Sequence, residues 1–111
     1  MNIKSSPSAK YENIDLDNKL LQAIRDLGRM YAVQKIVLLG SRAKGNNRPT
    51  SDIDLAVYPL PGFTGEGKLA ANLDDLDTLL KIDVVFITSD IDQRLIKNIE
   101  KEGVILYERL L

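Results

Sequence analysis

The feature that most constrains the fold is a short segment that joins an apolar run, a glycine-serine turn and two closely spaced aspartates. Residues 35–39 (KIVLL) are rich in strand-forming side chains and end at Gly40-Ser41. Ten residues later, Asp52-Ile53-Asp54 begins a second run that extends to Tyr58. In this run every second side chain, starting at Ile53, is a branched apolar one. The segment therefore predicts two strands, with both aspartates on the same face of the second one.

Helical and strand-like patterns alternate along the chain and predict a small α/β (α+β) fold, a mixed sheet covered by helices. The first predicted element is a helix that begins at Asp15 or Asp17 and carries Leu20, Ile24, Leu27 and Tyr31. It is followed by a predicted strand at residues 35–39, a short helix capped by Ser41 and ended by Gly45, and a strand at residues 52–58. The second part begins with a predicted loop at residues 59–67, followed by a helix carrying Leu69, Leu73, Leu76 and Leu80 and a strand at residues 82–87. The next predicted element is a helix that is capped by Ser89 or Asp90, buries Ile91, Leu95 and Ile99, and ends at Gly103. A last strand or an extended tail is predicted from Val104.

Length and composition narrow the class of protein. A chain of 111 residues is expected to form a loose tail at residues 1–13 and a single domain at residues 14–111. A balance of 15 Lys+Arg against 16 Asp+Glu argues against binding nucleic acid by overall charge. The absence of Cys and His excludes thiol chemistry and Cys/His zinc sites. No segment resembles a membrane span or a signal peptide, so a cytoplasmic protein is expected.

Three aspartates are candidate metal ligands. Asp52 and Asp54 would project from one strand face at roughly 7 Å from one another, given the rise of a strand. Asp83 interrupts an otherwise apolar run at residues 82–87, where an isolated charge is costly. If the two strands are neighbours, the three carboxylates can converge and hold two Mg²⁺ ions about 3.5–4 Å apart. Taken alone, an Asp-x-Asp pair is more often the solvent face of an edge strand.

The turn before these aspartates is a candidate phosphate site. Gly40 allows a ligand to approach the backbone closely, and Ser41 offers an amide and a hydroxyl at a helix start. Arg42 and Lys44 add positive charge. The same residues are also typical of an ordinary strand-to-helix turn with solvated basic side chains. The spacings of a P-loop and of a Rossmann fingerprint are both absent.

In combination, these motifs resemble the nucleotidyltransferases of the DNA polymerase β superfamily. The likeness is greatest to the minimal nucleotidyltransferases (MNT), in which Gly-Ser-Arg-Ala-Arg-Gly precedes Ser-Asp-x-Asp-Leu. It covers about residues 36–87, with GSRAKG at residues 40–45 and SDIDL at residues 51–55. Lys44 stands where arginine is common in the family, which keeps the charge but loses the bidentate fork.

The resemblance implies a nucleotidyltransferase fold of the polymerase β type and a role for each motif. The phosphates of ATP would be held by Gly40, Ser41, Arg42 and Lys44. Two Mg²⁺ ions would be held by the catalytic residues Asp52, Asp54 and Asp83. Asp83 would also help to remove the proton from an attacking hydroxyl. The implied reaction transfers AMP to that hydroxyl and releases pyrophosphate.

The resemblance also implies a partner. Minimal proteins of this family often work with a separate HEPN-domain protein, which is a ribonuclease toxin when the two form a toxin–antitoxin pair. The implied acceptor is then a tyrosine of that toxin. Two alternatives remain open: modification of a small-molecule hydroxyl, as in antibiotic nucleotidyltransferases, and a non-catalytic antitoxin that acts by binding. The loop at residues 59–67 could cover the acceptor, contact the partner or simply connect two elements.

Overall fold

The computed structural model describes residues 14–110, which form one four-stranded mixed sheet with four helices. The helices are α1 (Asn18–Met30), α2 (Gly40–Lys44), α3 (Glu66–Asp74) and α4 (Gln93–Glu102), and the strands are β1 (Val33–Leu39), β2 (Ile53–Pro59), β3 (Ile82–Phe86) and β4 (Val104–Glu108). The strand order is β3-β2-β1-β4, with β1 antiparallel to β2 and β4, and β2 parallel to β3. This architecture confirms the predicted fold class. The tail predicted at residues 1–13 lies outside the described residues.

The main core lies between one face of the sheet and the helices α1 and α3. Helix α1 contributes Leu20, Leu21 and Ile24, and α3 contributes Leu69 and Leu73. The sheet contributes alternate residues of its strands, namely Ile36, Leu38, Ile53, Leu55, Val57, Ile82 and Leu106. Each such side chain contributes roughly 1.5–3 kcal/mol when fully buried. This face is therefore the one that holds the fold together.

The opposite face of the sheet is covered more thinly, by α4. Its buried centre consists of Val37, Ala56 and Ile99. Asp54 lies two residues before Ala56 on β2, and side chains of a strand alternate between faces, so Asp54 shares this face. The candidate site is consequently built on the side of the sheet that has the smaller core.

Several predicted helix ends are confirmed. The side chain of Asp17 caps α1 and accepts hydrogen bonds from the amides of Lys19 and Leu20 at 3.1 and 3.2 Å. Gly45 ends α2 with a left-handed conformation, and Gly103 ends α4. The chain after Gly103 forms a strand paired with β1, as predicted for one of the two possibilities at this end.

Two predicted caps are wrong. Ser41 lies inside α2, which begins directly after Leu39 and has no side-chain cap. Helix α4 begins later than predicted, because Asp92 rather than Ser89 or Asp90 caps it, through a 2.8 Å hydrogen bond from the amide of Arg94. Several residues of the preferred type stood in a row at this position, and the spacing alone could not choose between them.

The second predicted helix is shorter than its leucine spacing indicates, because α3 ends at Asp74. Leu76 and Leu80 pack against the core from an irregular segment. Thr78 accepts a hydrogen bond from the Leu80 amide at 3.1 Å, and such local bonds from short polar side chains compete with a helix. In α4, Leu95 is 37% exposed rather than buried. Among residues 14–110, no helix has both the length and the apolar character needed to cross a membrane.

The loop between β2 and α3 starts at the end of the sheet remote from Asp54. Pro59 pairs with Val33 at the start of β1, roughly 17 Å along β2 from Asp54 by the rise of a strand. The ring of Phe63 in this loop meets that of Tyr31 edge to face, with centroids 6.3 Å apart. The loop thus packs beside the end of α1, and the body of β2 separates its start from the aspartates.

Gly28 is required in α1 because the ring of Tyr107 in β4 lies against it. A β-carbon at residue 28 would come within 2.6 Å of that ring. We expect Gly28→Ala to lower the free energy of unfolding by about 1–3 kcal/mol, as overpacking of a core does. Urea denaturation followed by circular dichroism measures this change.

Gly67 provides the matched control for this substitution. It lies in α3, and a β-carbon there would meet no atom within 4 Å. Gly67→Ala should therefore raise stability by about 0.5–1 kcal/mol, the usual gain from alanine in a helix. Equal effects of the two substitutions would show that the contact with Tyr107 does not matter.

Candidate active site

Asp54 and Asp83 are direct neighbours across two parallel strands. Their α-carbons are paired in the register of β2 and β3, so both side chains leave the same face of the sheet. Asp52 stands one residue before β2 and is exposed. The structure thus places the three predicted carboxylates at one end of the β2–β3 pair.

The electrostatics of Asp54 show how near these carboxylates are to one another. Burial raises the pKa of Asp54 above its ordinary value of 3.8, the negative charges of Asp83 and Asp52 raise it further, and so does a hydrogen bond with Asp83. Lys81 opposes this rise, and its Nζ lies 3.4 Å from Oδ1 of Asp83. The arrangement favours a proton or a cation between Asp54 and Asp83.

The pair Asp54 and Asp83 is suited to a Mg²⁺ ion that keeps water and phosphate ligands, and not to a metal site built entirely from protein side chains. Among residues 14–110, no three acidic side chains are gathered closely enough to form a complete set of metal ligands. Mg²⁺ is usually bound by one or two carboxylates together with waters and substrate phosphates. Two neighbouring carboxylates, with a third nearby, therefore fit an ion that arrives with a nucleotide.

Gly40 lies directly on the carboxylate of Asp54. Leu39 pairs with Asp54 across β1 and β2, and the chain then turns at Gly40 with a φ of 71°. A β-carbon at Gly40 would come 2.7 Å from Oδ2 of Asp54. Both the backbone conformation and the contact require glycine here. The candidate phosphate turn and the candidate metal ligands are thus in contact, and Ser41 follows as the second, half-buried residue of α2.

Arg42 is placed differently from what its predicted role suggests. Its side chain is only 3% exposed, and its guanidinium donates hydrogen bonds to backbone carbonyls. Nε donates to the oxygen of Ser51 at 3.0 Å, and Nη2 donates to the oxygens of Pro49 and Arg48 at 3.1 and 3.5 Å. These contacts anchor the loop before Asp52. A phosphate contact by Arg42 stays a prediction, and it would compete with these bonds.

Lys44 is the more accessible of the two predicted phosphate-binding cations. Its Nζ lies 3.3 Å from Oε1 of Glu102, and both side chains are about half exposed. Exposed ion pairs of this kind contribute about 0–1 kcal/mol, so the ammonium can leave Glu102 for a stronger anion. The pair also links α2 to the end of α4.

Sequence reasoning missed three residues that surround the site. Lys81 could have been noticed, because a cation immediately precedes the strand that carries Asp83. Glu102 and Asp15 could not, since they reach the site through the packing of α4 and of the segment before α1. The carboxylate of Asp15 lies 3.7 Å from Nη1 of Arg42 and accepts a 3.1 Å hydrogen bond from Asn47.

Comparisons with known proteins agree with this geometry. The family model described as "Polymerase beta, Nucleotidyltransferase" matches residues 22–110, which is more than half of the chain. The chain therefore belongs to the polymerase β nucleotidyltransferase family, as the resemblance indicated. No curated protein sequence matches the chain significantly.

Solved structures give a more detailed picture. A toxin–antitoxin structure with AMP-PNP is 28% identical to the chain, with a TM-score of 0.64 over 80% of this chain and 73% of that one. A mutant of the toxin–antitoxin pair MntA-HpeT is 26% identical, with a TM-score of 0.63 over the same shares. A protein from Sulfolobus solfataricus described as a candidate nucleotidyltransferase shares the fold, at 16% identity and a TM-score of 0.56, over 98% of this chain and 93% of that one.

Proposed function

We propose that the chain is a Mg²⁺-dependent nucleotidyltransferase that transfers AMP from ATP to a hydroxyl, namely a tyrosine of a HEPN-type toxin, and thereby acts as an antitoxin. The observation that carries the proposal is the contact of Asp54 with Asp83 beside the Gly40 turn. Candidate ligands for a cation thus lie next to a backbone turn that phosphates can approach closely. ATP is a cytoplasmic substrate, so the reaction would take place in the cytoplasm.

In the proposed reaction, the chain's own residues orient the phosphates and move one proton. Bound Mg²⁺ would neutralise charge on the phosphates, and Asp52, Asp54 and Asp83 would hold it. Gly40, Ser41 and Lys44 would position the β- and γ-phosphates. The acceptor oxygen attacks the α-phosphorus, the bond from that phosphorus to the bridging oxygen breaks, and pyrophosphate leaves. Asp83 would accept the hydroxyl proton. Positioning and charge neutralisation supply most of the acceleration in such transfers.

The proposed partner rests on similarity to toxin–antitoxin proteins. Three of the structures that resemble this chain are described as toxin–antitoxin structures, and one of these was determined with the ATP analogue AMP-PNP. The side chains of Asp83 and Lys81 are 46% and 69% exposed, which is compatible with access by a separate acceptor protein.

The experiment is incubation of the protein with Mg²⁺, the HEPN-type product of the adjacent gene, and ATP labelled at either the α- or the γ-phosphate. We expect the α-label, and not the γ-label, to become attached to the partner. Mass spectrometry should then find one or more AMP groups on a tyrosine. A nucleotidyltransferase releases the γ-phosphate as part of pyrophosphate, which is why the two labels give opposite results.

Asp26→Asn is the matched control for substitutions of the site aspartates. Asp26 lies on the exposed side of α1, which packs against the other face of the sheet. This variant should transfer the label at the wild-type rate.

Attachment of the γ-label would indicate a kinase. Full neutralisation of the toxin with no label attached would indicate an antitoxin that acts by binding alone.

A further inference from the structure

We propose that Arg42 is a positioning residue: its buried guanidinium fixes the loop at residues 46–51 and so determines where Asp52 lies relative to Asp54. The inference rests on the proposed function, because it concerns the cation that these aspartates would hold. It assigns Arg42 to the protein's own backbone instead of to the phosphates of ATP.

The contacts of Arg42 converge on the loop immediately before the site. Its guanidinium donates to the carbonyls of Arg48, Pro49 and Ser51, and on the other side to the carbonyl of Asp15. All five N–H donors of an arginine point outward in a rigid planar fork, which is what several carbonyls around one centre require. Lysine offers a single ammonium and cannot reproduce this pattern.

Asp52 needs such an anchor because it lies just outside the sheet. It is exposed and precedes the first residue of β2. On its C-terminal side, the amide of Ile53 donates to the carbonyl of Lys81 at 2.8 Å. On its N-terminal side, the carbonyl of Ser51 accepts from Nε of Arg42 at 3.0 Å. The backbone of Asp52 is therefore held between one bond from the sheet and one from Arg42.

The loop also contains a bond that does not involve Arg42. The hydroxyl of Ser51 accepts a hydrogen bond from the amide of Arg48 at 2.9 Å, and the amide of Ser51 donates to the carbonyl of Arg48 at 3.0 Å, so that two bonds close the turn at residues 48–51. Removing this hydroxyl would loosen the same loop while leaving the buried guanidinium in place. Ser51→Ala is thus a second, milder way to move Asp52.

Arg109 provides a structural comparison within the same chain. Its guanidinium also donates to three backbone carbonyls, those of Val33, Gly28 and Tyr31, at 2.9, 3.2 and 2.8 Å. These carbonyls lie at the end of α1 and the start of β1, away from the aspartates. Arg109→Lys should therefore lower stability in the same manner as Arg42→Lys without affecting the site.

The test compares Arg42→Lys, Ser51→Ala and Arg109→Lys with the wild-type protein in a Mn²⁺ titration followed by electron paramagnetic resonance. Each is measured at a temperature at which circular dichroism shows it to be folded. Residues that orient metal ligands typically change metal affinity by 10–100-fold when substituted. We expect the Mn²⁺ Kd to rise at least tenfold in Arg42→Lys, severalfold in Ser51→Ala, and less than twofold in Arg109→Lys. Transfer by Arg42→Lys should recover at saturating Mg²⁺.

The outcomes separate this inference from the proposed function. A folded Arg42→Lys that binds Mn²⁺ as the wild type does, and transfers AMP normally, overturns the positioning role alone. If Arg42→Lys does not fold, wild-type Mn²⁺ affinity in Ser51→Ala overturns it. A wild-type protein that binds no Mn²⁺ and transfers no AMP overturns the proposed function together with it.

Discussion

Asp54→Asn is expected to reduce AMP transfer about 10³-fold or more while leaving the protein folded. The substitution removes a negative charge from the pair proposed to hold the cation, and neutralisation of the phosphates by such a cation is worth several kcal/mol in the transition state. Asn keeps the size of the side chain, so the contact with Gly40 is preserved. Label transfer from α-labelled ATP measures the loss, with Asp26→Asn as the control.

The same variant is expected to be more stable than the wild type in the absence of divalent cations. The pKa of Asp54 is raised in the folded protein, so the folded state binds more protons than the unfolded one between the ordinary pKa of 3.8 and the raised value. The wild type thus loses stability as the pH rises through this window, and Asp54→Asn avoids the loss. At pH 7 we therefore expect Asp54→Asn to unfold at a higher temperature than the wild type, as is common when a functional site is neutralised.

The pH dependence distinguishes this cause from an unrelated gain of stability. The advantage of Asp54→Asn should be present at pH 7 and should shrink as the pH falls through the raised pKa of Asp54, because the wild-type side chain then becomes neutral too. Thermal denaturation at several pH values measures it. An advantage that is the same at pH 3 and pH 7 would contradict the repulsion among the carboxylates.

Gly40→Ala is expected to reduce AMP transfer by about 10²-fold or more. The new β-carbon would lie 2.7 Å from Oδ2 of Asp54, so either that carboxylate or the turn must move. A displacement of about 1 Å at reacting groups can cost 10²-fold in rate. Alanine at a φ of 71° also costs about 1–2 kcal/mol of stability. Initial rates of label transfer and a urea denaturation curve measure the two effects separately.

Gly62→Ala separates the strained backbone from the contact with Asp54. Gly62 has a φ of 81°, close to that of Gly40, but a β-carbon there would meet nothing within 4 Å. It should therefore lose a similar amount of stability and retain wild-type transfer. If Gly40→Ala transfers AMP as well as Gly62→Ala does, the turn at Gly40 has no part in the chemistry.

The meeting of Asp54 and Asp83 was predictable because it depends on a simple periodicity. Alternation within each strand sets the face of each aspartate. The helix α3 lies between the two strands in the chain, which is the usual connection of parallel neighbours. Once β2 and β3 are adjacent in this register, convergence follows. The Gly40 turn lies beside the aspartates because β1 and β2 are antiparallel neighbours, which pairs Leu39 with Asp54.

The structural environment of Arg42 was not predictable, because its partners are backbone carbonyls. Residue letters show where charges and apolar groups occur, but not where the carbonyls of an irregular loop point. The sequence marked Arg42 as a cation beside a candidate phosphate turn. In the folded chain it is buried against residues 48–51. Gly28 is similar, since only the fold shows that Tyr107 of β4 lies over it.

The irregular segment after α3 illustrates a different reason. Leu76 and Leu80 continue the helical spacing of Leu69 and Leu73, and all four contact the core. Burial of apolar residues at that spacing does not require a helix throughout. Short polar residues at positions 74–78 favour local turns instead, so the helix ends at Asp74.

The most direct test of the central claim, that the aspartates beside Gly40 hold a divalent cation, is to count the Mn²⁺ bound by the wild type and by Asp54→Asn. An electron paramagnetic resonance titration in the presence of AMP-PNP makes this measurement. The wild type is predicted to bind Mn²⁺ beyond what the nucleotide binds by itself, and Asp54→Asn to lose most of that binding. Equal binding by the two proteins would contradict the claim.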